Sequence, residues 1–110
     1  MARSEGTNPR LEVTLVVHRD AEADVLEAYR WYESKGFGLG AIFVSEVDET
    51  LARIESSPMS FAISYGEMRR AVLKRFPYVV YFRDADDVVQ VFGVLHGRRN
   101  VRLVRARDAR

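Results

Sequence analysis

Arginine is the residue type in this chain whose number and placement could do chemistry. Arg69, Arg70, Lys74 and Arg75 lie close together, and Arg98 and Arg99 directly follow the last apolar run. Arg102, Arg105, Arg107 and Arg110 carry the charge on to the end. Guanidinium groups clustered in this way suit phosphate or carboxylate partners. A metal-free nuclease can be built on them, with arginines stabilising a pentavalent phosphorane while a base deprotonates the 2′-OH. The base or acid that such a nuclease also needs is sought among His96, Tyr78 and Tyr81 nearby. His18, at the end of a strand-like run, reads as structural. The carboxylate pairs Glu22/Asp24 and Asp48/Glu49 read as solvated helix faces. Tyr29, Trp31 and Tyr32 could stack on bases, but packing against a second helix explains them more simply.

Other chemistries are excluded by what is missing. With no cysteine there is no disulfide scaffold, thiolate zinc site or cysteine nucleophile. No phosphate-binding loop, GxSxG, HExxH or EF-hand pattern occurs. Gly36-Phe37-Gly38-Leu39-Gly40 is glycine-rich, yet it joins two helices and reads as a turn. Neither a cofactor nor a metal is expected. The first ten residues lack the apolar stretch of a signal peptide, and no apolar run approaches a bilayer span, so a cytoplasmic protein is expected.

The elements that must position the arginines follow from periodicity. Leu11, Val13, Leu15 and Val17 alternate with other residues as a first strand. Asp20 is placed to cap a helix, with Glu22 and Asp24 in its first turn. Val25, Leu26, Tyr29 and Tyr32 give that helix an apolar face that Trp31 broadens, and Gly36 ends it. A second helix carries the stripe Leu39, Phe43, Val47, Leu51 and Ile54, with Glu46, Asp48, Glu49, Arg53 and Glu55 around the other side. Pro58 closes it. The short link makes an antiparallel helical hairpin. Pro58 to Gly66 reads as a loop, with Phe61 and Ile63 tucked under the sheet edge. Met68 to Arg75 alternates basic and apolar residues as a half-exposed strand that could neighbour the last one. Tyr78–Phe82 and Val88–Val94 form a hairpin around the turn residues Asp84-Ala85-Asp86-Asp87. The expected fold is α+β in the order β-α-α-β-β-β, with the helical hairpin packed on one face of a mainly antiparallel sheet.

At 110 residues and 47% hydrophobic content, the chain makes one globular domain. Residues 1–10 read as a disordered lead-in, 11–105 as the domain and 106–110 as a basic tail. The net charge of +1 conceals −5 over residues 1–64 and +6 over residues 65–110. A basic half of this kind suggests an anionic partner, either nucleic acid or an acidic protein segment.

Several runs resemble the ParE/RelE superfamily of toxins from bacterial toxin–antitoxin modules. The stretch from Ala23 to Glu33 resembles its first helix. Gly40-Ala41-Ile42-Phe43 with Glu46-Val47-Asp48, then Leu51, Arg53, Ile54 and Pro58, resembles the second. Arg69 to Tyr81 and Val94-Leu95-His96-Gly97-Arg98-Arg99 are similar to the family's most recognisable strands. The resemblance implies the same β-α-α-β-β-β fold.

The ribosome-dependent RNases of the RelE branch carry basic residues on the second strand, an arginine on the third, another after the fourth, and a tail tyrosine. Arg70 and Arg99 match the first and third of these positions. Tyr78 stands where the third-strand arginine belongs, and Arg105 falls near the tail tyrosine. Two expected catalytic groups are thus missing. The resemblance is therefore to the ParE branch, the plasmid stabilisation toxins whose well-studied members poison DNA gyrase without doing chemistry. It implies a cognate antitoxin, bound through an amphipathic helix in a groove beside the helical hairpin, with a strand added at the sheet edge as a second mode of contact. Its acidic residues would meet Arg69, Arg70, Arg75, Arg98, Arg99 and Arg102. Two other readings stand beside this one. The first is a RelE-type endoribonuclease acting on ribosome-bound mRNA, with Arg70, His96 and Arg99 as catalytic groups. The second is an inert toxin-like binding module.

Overall fold

The computed structural model describes residues 14–98 and 101–109. Strand β1 (Thr14–Val17) leads into helix α1 (Arg19–Lys35) and helix α2 (Leu39–Ser56). A 3-10 turn at Pro58–Ser60 precedes β2 (Ile63–Tyr65), β3 (Met68–Val72), β4 (Tyr78–Ala85) and β5 (Val88–His96), and α3 (Arg102–Asp108) closes the chain. The sheet order is β1-β5-β4-β3-β2, parallel only between β1 and β5. This is the expected α+β arrangement with two additions, β2 and α3. Leu11, Val13 and the lead-in at 1–10 lie outside the described residues.

Helix α1 starts earlier than Asp20 suggests: His18 is the extended residue before it, and Asp20 and Glu22 occupy its first turn. There their charge suits the positive end of the helix dipole. At the other end of α1, the Glu33 carboxylate accepts the N–H groups of Gly38 and Gly40, both at 2.9 Å. Those are donors that the start of α2 leaves without a helical partner. The two helices meet at Gly40, where an added Cβ would lie 2.8 Å from the Tyr29 carbonyl oxygen. The α2 stripe behaves as its spacing requires. Phe43, Val47 and Ile54 are buried and Leu51 packs against them. Phe43 meets Tyr32, Phe76 and Tyr78 with ring centroids 5.4, 5.2 and 5.0 Å away. Two residues of the α1 face differ from expectation: Leu26 and Trp31 are largely exposed.

Both faces of the sheet are covered. Val80, Phe82, Val89, Val91 and Val94 pack toward the helical hairpin, while Val79, Tyr81, Phe92 and Leu95 pack with Val104 of α3 on the other face. That is why β5 reads as an unbroken apolar run, not an alternating one. Phe82 pairs with Val91 and Tyr81 with Gly93, so Phe92 is the extra residue of a bulge. The bulge shifts the side-chain alternation and sends Val91 and Val94 to the same face. At the far edge, the segment read as a loop holds β2. Phe61 packs against the core, but Ile63 is exposed and not tucked under the edge. β3 ends at Val72, before Lys74 and Arg75, and β4 separates it from β5.

The β4–β5 turn is tighter than the four acidic-turn residues suggest, with only Asp86 and Asp87 outside the strands. Both adopt positive φ, 56° and 61°. That is the hairpin geometry that favours Asn-Gly, because glycine carries no Cβ to strain there. Asp87→Gly is expected to stabilise the fold by about 0.5 kcal/mol. A higher urea midpoint at unchanged slope is the predicted readout, and a lower one would contradict the account of the turn.

Candidate functional site

β1 stops at Val17, opposite Val91, while β5 runs on to His96. Beyond Val91, β5 therefore has backbone groups that no strand among the described residues pairs on that side. Two side chains take the place of the strand. The Val94 N–H donates to Asp24 Oδ2 at 3.0 Å, and Arg107 Nη1 donates to the Phe92 carbonyl at 3.0 Å. Asp24 and Arg107 also clasp each other through two bonds of 2.7 and 3.0 Å. They are 9% and 13% exposed, so this is an interior pair joining α1 to α3 around the sheet edge. Bonding to Asp24 holds the Arg107 guanidinium above its ordinary pKa against the opposing cost of burial. Close approach is possible because residue 93 is glycine: a Cβ there would sit 2.9 Å from Arg107 Nη1. Arg83 adds a second tie to α3, donating to Asp108 at 2.8 Å with its guanidinium over the Phe92 ring.

A second interior carboxylate fixes the β3–β4 loop. Glu46 of α2 is 2% exposed and accepts the Arg75 N–H at 2.7 Å and Arg75 Nε at 3.2 Å. Burial pushes its pKa up. Bonds from the Arg75 backbone and side chain and the Lys74 N–H, with the Arg75 charge, outweigh that and leave it below the usual value.

Between α1 and the ends of β4 and β5 lies a cleft of about 410 Å³. Ala28, Trp31, Tyr32, Pro77, Tyr78, Val94 and Leu95 form its apolar walls, with Asp24, Glu27 and His96 among them. His96 packs edge-on to Tyr78 at 5.4 Å, and its Nδ1 accepts the Arg98 N–H at 3.1 Å. His18, by contrast, is structural in its contacts: it stacks on Phe92 at 4.5 Å, with Nε2 2.9 Å from Gln90 Oε1. Among the described residues, no cluster of acidic or histidine side chains is placed to hold a metal ion.

The expected cationic residues are carried by several elements: β3, the β3–β4 loop, the turn after β5 and α3. Arg69 donates to the Phe61 carbonyl at 2.6 Å. Arg75 is bonded to Glu46 but 68% exposed. Arg98 is exposed in the turn after β5, Arg102 is exposed at the start of α3, and Arg99 lies outside the described residues. Arg70 stands opposite Tyr81, on the face that packs with Met68 under α3. His96 stands opposite Tyr78, on the face that packs toward α1. The two are therefore on opposite faces of the sheet and do not converge on one reacting centre.

Sequence reasoning missed Asp24, Glu46, Glu33 and Arg107 as organising residues. Asp24 and Glu46 read as solvated helix acids, and Arg107 as part of a charged tail. The one available signal was in the tail itself, where Val101 and Val104 lie three residues apart among good helix formers.

This arrangement, a five-stranded sheet with a helical hairpin on one face and a short helix on the other, has a counterpart among solved structures. It is similar to the chromosomal ParDE TA system from P. aeruginosa at a TM-score of 0.68, covering 78% of this chain and 97% of that one. At 20% identity that likeness is one of fold. The chain belongs to the ParE toxin family of type II toxin–antitoxin systems, parDE, whose model matches residues 15–101. It is 30% identical over 93 residues to Toxin ParE2 of Mycobacterium tuberculosis strain CDC 1551 / Oshkosh, covering 84% of this chain and 89% of that protein. The same figures hold for Toxin ParE2 of strain ATCC 25618 / H37Rv.

Proposed function

We propose that this chain is the toxin of a type II toxin–antitoxin module, that it inhibits DNA gyrase by binding, and that a cognate antitoxin neutralises it. The observation that carries this reading against RNA cleavage is the placement of Arg70 and His96 on opposite faces of the sheet. General acid–base chemistry needs its groups within hydrogen-bond reach of the same reacting atoms. Inhibition without chemistry needs only a surface, so the chain acts as a binding protein and not as an enzyme. It works in the cytoplasm, where the target is. The cleft beside α1 supports the antitoxin's place: its apolar walls suit one face of an amphipathic helix. The exposure of Arg98 and of most of Arg75 supports contacts from them to acidic residues of such a partner.

Purified gyrase with supercoiled plasmid tests the reading. The expected result is accumulation of cleaved DNA on adding the chain, reversed by the antitoxin encoded beside it. Intact plasmid, together with arrest of a cell-free translation reaction, would point to the ribosome instead.

A further inference from the structure

The most exposed apolar side chain described is Phe37, at 102% of its reference area. It sits at the tip of the helical hairpin, between Gly36 and Gly38. Phe43, in the second turn of α2, packs on Phe76 and Tyr78 where β4 begins. Phe37 precedes α2 altogether, in the link between the two helices. The tip is held firmly. Glu33 bonds the N–H groups of both Gly38 and Gly40, and the Leu39 N–H donates to the Gly36 carbonyl at 3.0 Å. Ile42, 44% exposed, extends the apolar tip along α2. Arg30 and Lys35 are exposed on the last turns of α1 beside this tip, whereas the carboxylate of Glu33, half-buried, is engaged by the Gly38 and Gly40 N–H groups.

We propose that Phe37 is an anchor which the hairpin tip inserts into an apolar, acid-rimmed pocket on the protein target. The inference takes the target's identity, gyrase, from the preceding reading. An aromatic presented on a firmly held turn gives large contact area while only its own side-chain torsions are left to order on binding. Its desolvation contributes to binding alone, since Phe37 buries nothing within its own fold. The surrounding cations select for carboxylates at the pocket mouth.

The test compares Phe37→Ala, Phe37→Asp and Phe37→Trp with the parent chain in three measurements: growth arrest on expression without antitoxin, inhibition of gyrase supercoiling, and antitoxin binding. All variants should unfold at the parent temperature. The Ala and Asp variants should relieve growth arrest, and the concentration needed for gyrase inhibition should rise roughly thirtyfold. Phe37→Trp should retain activity, and antitoxin affinity should not change in any variant. Undiminished arrest by Phe37→Asp overturns the proposal, as does loss of antitoxin binding with arrest retained, which would seat the antitoxin on the tip. A parent chain without effect on growth overturns it too. If the parent arrests growth without touching gyrase and Phe37→Asp relieves the arrest, the gyrase reading fails and the anchor stands.

Discussion

Asp24→Ala is expected to destabilise the protein by about 3 kcal/mol, because it removes one partner of an interior ion pair. The loss has two parts. Arg107, 13% exposed, is left without its two bonds from the guanidinium to carboxylate oxygens. The Val94 N–H, at the stretch of β5 that β1 does not reach, loses its acceptor. An unpaired interior donor costs about 1–3 kcal/mol by itself. The drop in melting temperature should exceed about 10 °C for a domain of this size. Pairing the change with Arg107→Ala should cost much less than the sum of the two single changes, since both remove the same contact. Amide exchange should quicken across α3 and at Val94 ahead of the α2 core. A single variant that melts within a degree or two of the parent would show that the clasp does not hold α3 to the sheet.

Glu46→Ala carries the second large expectation, also about 3 kcal/mol, for the removal of an acceptor that serves the Lys74 and Arg75 N–H groups together. Arg75 itself is mostly exposed and re-solvates, so the backbone donors dominate the loss. The pH dependence separates this from simple cavity formation. The folded pKa of Glu46 lies below its unfolded value. Its contribution is therefore fully present above the ordinary carboxylate range and is lost as pH falls through the folded pKa. Glu46→Gln keeps the volume and one acceptor, so it should cost about half as much near neutrality and flatten the acid limb of the stability curve. If parent and Glu46→Gln lose stability in parallel on acidification, other carboxylates govern that limb.

These two acids show why the sequence carries some parts of the fold and not others. The α2 stripe from Leu39 to Ile54 is repeated over several turns and needs only the 3.6-residue period to be read. The β4–β5 hairpin announces itself through β-branched runs flanking turn-forming aspartates. Asp24 and Glu46 carry no such local mark. On a helix, a buried acid looks like a solvated one until its partner is placed, and here the partners lie 83 and 29 residues away. β2 is three residues long, too short for any alternation to register. α3 was masked by arginines that look like a charged tail, although Arg107 and Asp108 point inward to Asp24 and Arg83. The cationic site was legible only as composition. Sequence supplied the count of arginines, but the strand order decided which face each takes, and that order separates Arg70 from His96.

The central claim is that this toxin-family chain acts on gyrase by binding, and one measurement reaches it most directly. After induction in cells lacking the antitoxin, DNA and protein synthesis are followed by pulse labelling. The account predicts that incorporation into DNA stops first, while protein synthesis continues. Protein synthesis stopping first would contradict it and put the ribosome in gyrase's place.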